Sequence, residues 1–147
     1  MGAVPNTTYL FSLDTTAFFM TDDPVMPPQN MQYVPIDTIR NAAMEPQEFV
    51  FALMTSKHLH DWYRDNRFCG RCGSSTRHSN RERALVCDAC KNRIYPRIMP
   101  AVIVGVIHED AILLTRYRTG YSHNALIAGF TEIGETVEET VAREVME

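Results

Sequence analysis

No stretch of this sequence is apolar for long enough to cross a bilayer, which excludes a membrane-spanning helix. The opening residues lack a basic start followed by an apolar segment, so they do not read as a secretory leader, and the protein is expected to be cytoplasmic. Positive charge is in short supply. Fourteen Lys and Arg stand against 18 Asp and Glu, a formal net charge of −4, so a broad nucleic-acid footprint is not expected. Cysteine is sparse too: the 147 residues hold four, as two close pairs between Cys69 and Cys90. Without an export signal, such pairs favour metal over disulfides. What remains is enough to bury a core. Length alone suggests one domain, but the cysteine cluster points to more than one unit.

Taken in order, Tyr9–Leu13 and Ala17–Met20 read as short strands, and the proline-rich Asp22–Pro28 as a loop. Met31–Pro35 offers a further strand, and Ile36–Met44 is ambiguous. Phe49–Met54 is apolar without alternation and fits a buried strand or a helix start. Ser56–Asn66 reads as a helix capped by Ser56, with Leu59, Trp62 and Tyr63 on its buried face. His58 and His60 are two apart, so on a helix they diverge and read as surface residues rather than ligands.

The pair Cys69-x-x-Cys72, fourteen residues, and then Cys87-x-x-Cys90 form two knuckles at a spacing that suits zinc. Four soft thiolates fill a tetrahedron and leave no open position, so the zinc is structural. Gly70 and Gly73 are expected to let the backbone turn its amides toward sulfur. The residues between the knuckles fit a small hairpin. Its basic side chains (Arg77, His78, Arg81, Arg83), with Arg71, Lys91 and Arg93 beside it, read first as a solvated surface and second as an RNA contact.

Ile94–Pro100 is a link out of the ribbon, kept extended by its two prolines. Ala101–Ile107 is a continuous β-branched run, predicted to be a strand buried on both faces. His108–Asp110 turns the chain, Ala111–Arg116 returns as its hairpin partner, Tyr117–Asn124 is a polar loop, and Ala125–Ala128 is a strand running into Gly129. The rest is a glycine-rich turn and an acidic helix. Thr136 and Glu139 make a capping box, and Val137, Val141 and Val145 form an apolar stripe. Glu144 and Glu147 lie three apart on one helical face. Two neighbouring carboxylates repel unless solvated or bridged by a cation, and a hard divalent ion such as Mg²⁺ or Mn²⁺ is the natural bridge.

Gly129, five residues, Glu135, seven residues, then Arg143-Glu144-Val145-x-Glu147 resembles the Nudix box. Together with Phe68-Cys-Gly-x-Cys-Gly73, the second knuckle, Tyr95-Pro96 and Ala128-Gly129-Phe130, it resembles the NADH pyrophosphatase branch of the Nudix hydrolases. That resemblance implies an α+β chain: a small N-terminal cap (1–66), a zinc ribbon (67–95) and the first part of a Nudix α/β/α sandwich with a mixed sheet (96–147). It implies zinc on Cys69, Cys72, Cys87 and Cys90. It also implies Mg²⁺ or Mn²⁺ on Glu144, Glu147 and the Ala128 carbonyl. Arg143 is then the residue that orients the acids, Glu135 supports the loop or a further metal, and Tyr95 and Phe130 flank a ring of the substrate. The implied activity is hydrolysis of NADH or NAD⁺ to a nicotinamide mononucleotide and AMP, with removal of NAD caps from RNA a related possibility, in a homodimer. The family pattern's second glutamate, its closing Gly-aliphatic pair and a downstream Ser-Gln-Pro run have no counterpart in these residues, so the 147 residues alone are expected to be weakly active or inactive and poorly stable. Two alternatives stand beside this reading: a non-catalytic zinc-ribbon module that binds nucleotide or RNA, and a Nudix hydrolase for another substrate such as ADP-ribose or a nucleoside triphosphate.

Overall fold

The computed structural model describes residues 6–41 and 46–147. The chain divides into two compact units, Met1–Pro96 and Arg97–Glu147. The class is α+β.

The first unit begins with an antiparallel hairpin of β1 (Thr8–Leu13) and β2 (Thr16–Met20), turned at Asp14. An irregularity in its register between Tyr9 and Phe11 accompanies the burial of Leu10. Phe11 stacks on Phe18, and Phe18 meets Phe49 of the following helical region, so the hairpin packs on helix through aromatic rings. No strand forms at Met31–Pro35. The Met31 amide instead closes a turn onto Pro28, and the prolines at 24, 27, 28 and 35 have no N–H to give a ladder. Helix α1 (Ile36–Asn41) settles the first part of the ambiguous Ile36–Met44 stretch, and the part beyond Asn41 lies outside the described residues.

Helix α2 (Gln47–Asp65) starts well before the expected cap at Ser56. Its N-cap is Pro46, in extended backbone, and Pro lacks the N–H that a helix start leaves unpaired. Phe49–Met54 is therefore helix interior, not strand. Ser56 sits mid-helix, its hydroxyl oxygen buried without a partner. Leu59, Trp62 and Tyr63 are half-buried as expected, and the Tyr63 ring stacks on His78 of the ribbon at 4.6 Å between centroids. His58 is exposed, and His60 lies 3.3 Å from Asp22 at the surface.

The ribbon is a three-stranded antiparallel sheet of β3 (Thr76–His78), β4 (Leu85–Cys87) and β5 (Arg93–Ile94), with β4 central. Its small core is Cys69, Ala84, Leu85 and Cys87, all buried. A core this thin leaves much of the ribbon's stability to whatever the cysteines hold.

The second unit runs β6 (Ala101–Val104), β7 (Ile107–His108), β8 (Ala111–Ile112), β9 (Thr115–Arg116), β10 (Asn124–Ala125), β11 (Ile127–Phe130) and α3 (Val137–Met146). Strand β6 pairs with β11, β7 with β8, and β9 with β10. Every pair among the described residues is antiparallel, so these residues form only small antiparallel ladders. The β-branched run is not one strand buried on both faces. It stops at Val104 because β11 offers four partners, Ile127 to Phe130, and the ladder ends where the partner ends. Only Val102 is buried, on the side that α3 covers, while Ile103 is 75 % exposed. The returning segment likewise divides into β8 and β9. The last strand runs further than expected and takes Gly129 and Phe130 into the ladder.

Helix α3 has the expected capping box. The Glu139 amide donates to the Thr136 hydroxyl, and the Thr136 amide to the Glu139 carboxylate, at 3.2 and 2.7 Å. The valine stripe is not its buried face: Val137 is 58 % exposed and Val145 37 %, whereas Thr140 is fully buried. The helix turns its Thr140–Arg143–Glu144 side toward β11, where those side chains find polar partners. Among the described residues no helix is long and apolar enough to cross a membrane.

Candidate functional site

The four cysteine sulfurs lie within 4.8 Å of one another, the only group of three or more potential ligands so gathered among the described residues. The cysteines are free thiols, and the closest Sγ pairs, Cys69–Cys90 and Cys72–Cys87, stand 3.6 and 3.5 Å apart. A disulfide needs about 2 Å. Four sulfurs each about 2.3 Å from a tetrahedral zinc are about 3.8 Å apart along each edge, so these separations fit the ion.

The two knuckles repeat one backbone pattern. The Cys69 amide bonds the Ser74 carbonyl and the Gly73 amide bonds the Cys69 carbonyl; the Cys87 amide bonds Asn92 and the Lys91 amide bonds Cys87. The turn at the first requires Gly73, at φ +75. Gly70 is not needed in that role, and in the second knuckle Lys91 takes the left-handed conformation instead. The Arg71 and Cys72 amides and the Asn92 side chain draw the Cys69 thiol down to about 6 against the effect of burial. The Ser74 amide and hydroxyl lower Cys72 in the same way. The Asn92 amide also pulls Cys90 down, but burial and the three neighbouring sulfurs outweigh it and push that thiol up to about 11. Asn92, which spans from one knuckle to a sulfur of the other, is a residue that the spacing alone did not single out.

The surrounding basic side chains are largely occupied. Arg77 pairs with Asp88, Arg93 with Glu82, Arg83 donates to the Leu10 carbonyl and Lys91 to the Asp88 carbonyl. These contacts support their first reading, as a solvated surface, and add that much of it is paired within the ribbon and the hairpin beside it. Tyr95 is half exposed, its hydroxyl 3.2 Å from the same Glu82.

In the second unit, Arg143 gathers what the sequence placed apart. Its Nε and Nη2 form a fork on Glu135 at 2.7 and 3.0 Å, and Nη2 also reaches the Phe130 carbonyl at 2.9 Å. Its Nη1 reaches Glu144 at 2.7 Å and Glu147 at 3.3 Å. All five guanidinium N–H groups thus have an acceptor. These carboxylates raise the Arg143 pKa further above its usual value, Glu135 most. In return the guanidinium, helped by the Glu132 amide, holds Glu135 down at about 2. Three carboxylates and one guanidinium leave a formal charge of −2.

Two features of this network lay outside the sequence reading. One is Thr140, whose buried hydroxyl lies 3.0 Å from both Glu135 and the Thr136 carbonyl and has a single proton to offer them. Its position three before Arg143 on the helix was the available signal. The other is the reason for glycine at 129. A Cβ there would run into the Glu144 carboxylate, which occupies that space. Gly129→Ala is therefore expected to displace Glu144 and, if Glu144 holds the divalent ion that the Nudix-box resemblance implies, to weaken binding of that ion by about tenfold or more, in line with the loss of a ligand-orienting contact. Titration with Mn²⁺, followed by electron paramagnetic resonance, checks it.

Glu135 also sets an acid response. Its ordinary value is 4.5 and its folded value about 2, so its contribution to stability is complete above pH 4.5 and is lost as pH falls from there to about 2. Urea midpoints measured across that window should fall for the native sequence and fall less for Glu135→Gln.

Ala128 is exposed and sits on β11 just before Gly129. The Phe130 ring is also exposed, beside Ile98, Met99, Pro100 and Ile133 around a hollow of about 420 Å³.

A ribbon of four thiols and a strand–turn–helix carrying an arginine-centred carboxylate cluster define a Nudix-type chain with an appended zinc ribbon. Residues 64–95 match the NADH pyrophosphatase zinc ribbon domain and residues 97–147 match the NUDIX domain, so the chain belongs to the Nudix family, in the branch that carries this ribbon. It is 48% identical over 92 residues to the NAD-capped RNA hydrolase NudC of Enterobacter sp. and, at the same identity and length, to that of Klebsiella pneumoniae. Against the Salmonella typhi protein of that name it is 47% identical over 90 residues. In each case the match covers 60% of this chain and 35% of the relative, so the chain spans about a third of the length of the curated relatives it matches.

Proposed function

We propose that these residues belong to a metal-dependent hydrolase that splits the diphosphate bond of NADH or NAD⁺, giving a nicotinamide mononucleotide and AMP, and that also acts on NAD-capped RNA. The observation that carries the reading is the cluster on Arg143. Its formal charge of −2 is the charge that one divalent cation balances, and the donors are oxygens, which suit Mg²⁺ or Mn²⁺. Glu144 and Glu147 would hold the ion, with the Ala128 carbonyl beside them. When bound, such an ion neutralises diphosphate charge and lowers the pKa of a bound water.

Arg143 is a positioning residue in this reading. It keeps Glu144 and Glu147 on one side of the helix while its own charge is spent on Glu135. Glu135 anchors that guanidinium and ties the turn through the Glu132 amide, which favours the loop-support role over a further metal. Phe130 and Tyr95 offer exposed ring faces of the kind on which an adenine or nicotinamide ring stacks. The cysteines hold a structural zinc that shapes the ribbon. The division into cap (1–66), ribbon (67–95) and Nudix segment (96–147), a cytoplasmic setting and a homodimer belong to the same proposal; the printed names of the NudC relatives support its action on NAD-capped RNA.

The test is chromatographic. The protein, in the length its host makes, is incubated with NADH and Mg²⁺ or Mn²⁺, and AMP is quantified. Metal-dependent release of AMP together with the reduced mononucleotide is expected. Binding of NADH without cleavage would move the chain to the binding-module reading, and cleavage of ADP-ribose in preference to NADH would move it to the other-substrate reading.

A further inference from the structure

Outside the two sites, the loop between β9 and β10 brings exposed aromatic rings and basic side chains together. Residues 117–123 leave and rejoin a ladder in which Arg116 pairs with Asn124 and Thr115 with Ala125, closed by a 3.1 Å bond from the Thr115 hydroxyl to the Ala125 carbonyl. Arg116 to Ser122 surround a hollow of about 480 Å³. Tyr117 and Tyr121 meet edge to face at 6.3 Å, and Tyr121 meets His123 in the same way at 5.3 Å. Both tyrosines keep more than half their surface in solvent. Edge-to-face contact holds the rings in place without covering their faces.

The charge here runs against that of the chain as a whole. The segment from Arg116 to His123 carries two arginines and a histidine and no carboxylate, in a protein of net charge −4. Among the described residues neither Arg116 nor Arg118 has a carboxylate within ion-pair distance, which is also true of Arg71, Arg81, Arg83 and Arg97; what sets Arg116 and Arg118 apart is that they flank and alternate with the exposed rings of Tyr117 and Tyr121. Unpaired guanidinium groups interleaved with open aromatic faces are the elements of a site for single-stranded nucleic acid: the cations track phosphates and the rings stack bases without choosing among them. An acidic peptide would use the cations and leave the ring faces idle, and a membrane surface would call for aliphatic side chains that this loop lacks.

We propose that the Arg116–His123 loop is a binding surface for the single-stranded body of an RNA, with Tyr117 and Tyr121 as stacking faces and Arg116 and Arg118 as phosphate contacts. The inference deepens the reading above and rests on it for the choice of RNA as the nucleic acid. It gives the enzyme a hold on the chain behind the dinucleotide, which free NADH does not have.

The experiment uses a fluorescent single-stranded RNA of about ten nucleotides with a 5′ hydroxyl and no cap, so that it reads this surface alone. Anisotropy is followed with the full chain at two or more salt concentrations. Tyr121→Ala is expected to weaken binding about tenfold, within the range for loss of one stacked base, and Tyr121→Phe to stay within about twofold of the native protein. Arg118→Ala should lower the slope of log affinity against log salt by about 0.7. Zinc content and circular dichroism equal to the native protein establish that each variant is folded. No binding of this RNA by the native chain, or Tyr121→Ala binding within twofold of it, would overturn the proposal. Either result would leave NADH hydrolysis untouched, so failure here is separable from failure of the diphosphatase reading. A single-stranded DNA of the same sequence binding equally well would support the proposed contacts, since stacking and phosphate contact do not use the 2′-hydroxyl. An RNA duplex binding as tightly as the single strand would overturn the stacking role.

Discussion

Cys87→Ser is expected to cost this chain its zinc and, with it, the ordered ribbon. Cys87 is the most buried of the four ligands, fully withdrawn from solvent, and its sulfur stands 3.5 Å from that of Cys72. Serine offers a hard oxygen in place of a soft thiolate. If the ~10–16 kcal/mol of a structural zinc site is shared among four thiolates, losing one weakens zinc binding by roughly 100- to 1000-fold. The strands have little else to hold them. Strands β3 and β4 are three residues each and β5 two, around a core of four small or medium side chains. The expected result is a competition titration with a chromophoric chelator in which the variant yields its metal far sooner than the native protein, together with loss of dispersed amide resonances from β3, β4 and β5. Stripping zinc from the native chain with a strong chelator should produce the same spectrum. A metal-free ribbon that keeps its native dispersion would show that the hydrophobic core and the paired arginines suffice, and zinc would then be incidental.

The ribbon was the part most open to reading from sequence because its constraint is local. Two Cys-x-x-Cys pairs need only the right spacing, and both knuckles then close through backbone bonds within six residues. The capping box at Thr136 and Glu139 was legible for the same reason. Errors came where a partner far along the chain decides the outcome. The start of α2 was misplaced because Ser56 is a good cap by type, whereas the apolar Phe49–Met54 stretch propagates helix from Pro46 and leaves Ser56 inside it. The Ala101–Ile107 run was over-read because β-branched residues report strand preference and not the length of the partner. The apolar stripe of Val137, Val141 and Val145 does not say which side of α3 meets the strand, because periodicity only counts apolar residues, whereas the fork from Arg143 to Glu135 and Phe130 sets that side. In the site itself, the motif identified which residues matter. It could not say that Glu144 occupies the space a side chain at 129 would need, or that a buried threonine shares Glu135 with the arginine.

That geometry makes Glu144→Gln the second large effect. Glu144 is the least exposed of the cluster's three carboxylates, its side chain at 15% against 21% for Glu135 and 63% for Glu147. It lies over Gly129, and it takes one N–H of Arg143 at 2.7 Å. Glutamine keeps the shape, the volume and one oxygen to accept from Arg143, so the fold should be unmoved. What it removes is one negative charge, taking the cluster from a formal −2 to −1. A divalent ion then meets half the balancing charge and one fewer anionic ligand. On the diphosphatase activity proposed above, loss of several kcal/mol of charge stabilisation corresponds to a fall on the order of 10³-fold in AMP release from NADH by the protein as its host makes it. Zinc content should stay as in the native protein, because the ribbon takes no part in this change. The Mn²⁺ resonance signal supplies a readout that does not depend on turnover: weak binding by Glu144→Gln, with native zinc and native circular dichroism, ties the loss to the cluster. Glu147→Gln should show a smaller loss, since its side chain is mostly in solvent and its contact with Arg143 is longer. Native turnover in Glu144→Gln would remove that carboxylate from the chemistry, and the −2 charge gathered on Arg143 would then be a device of the fold alone.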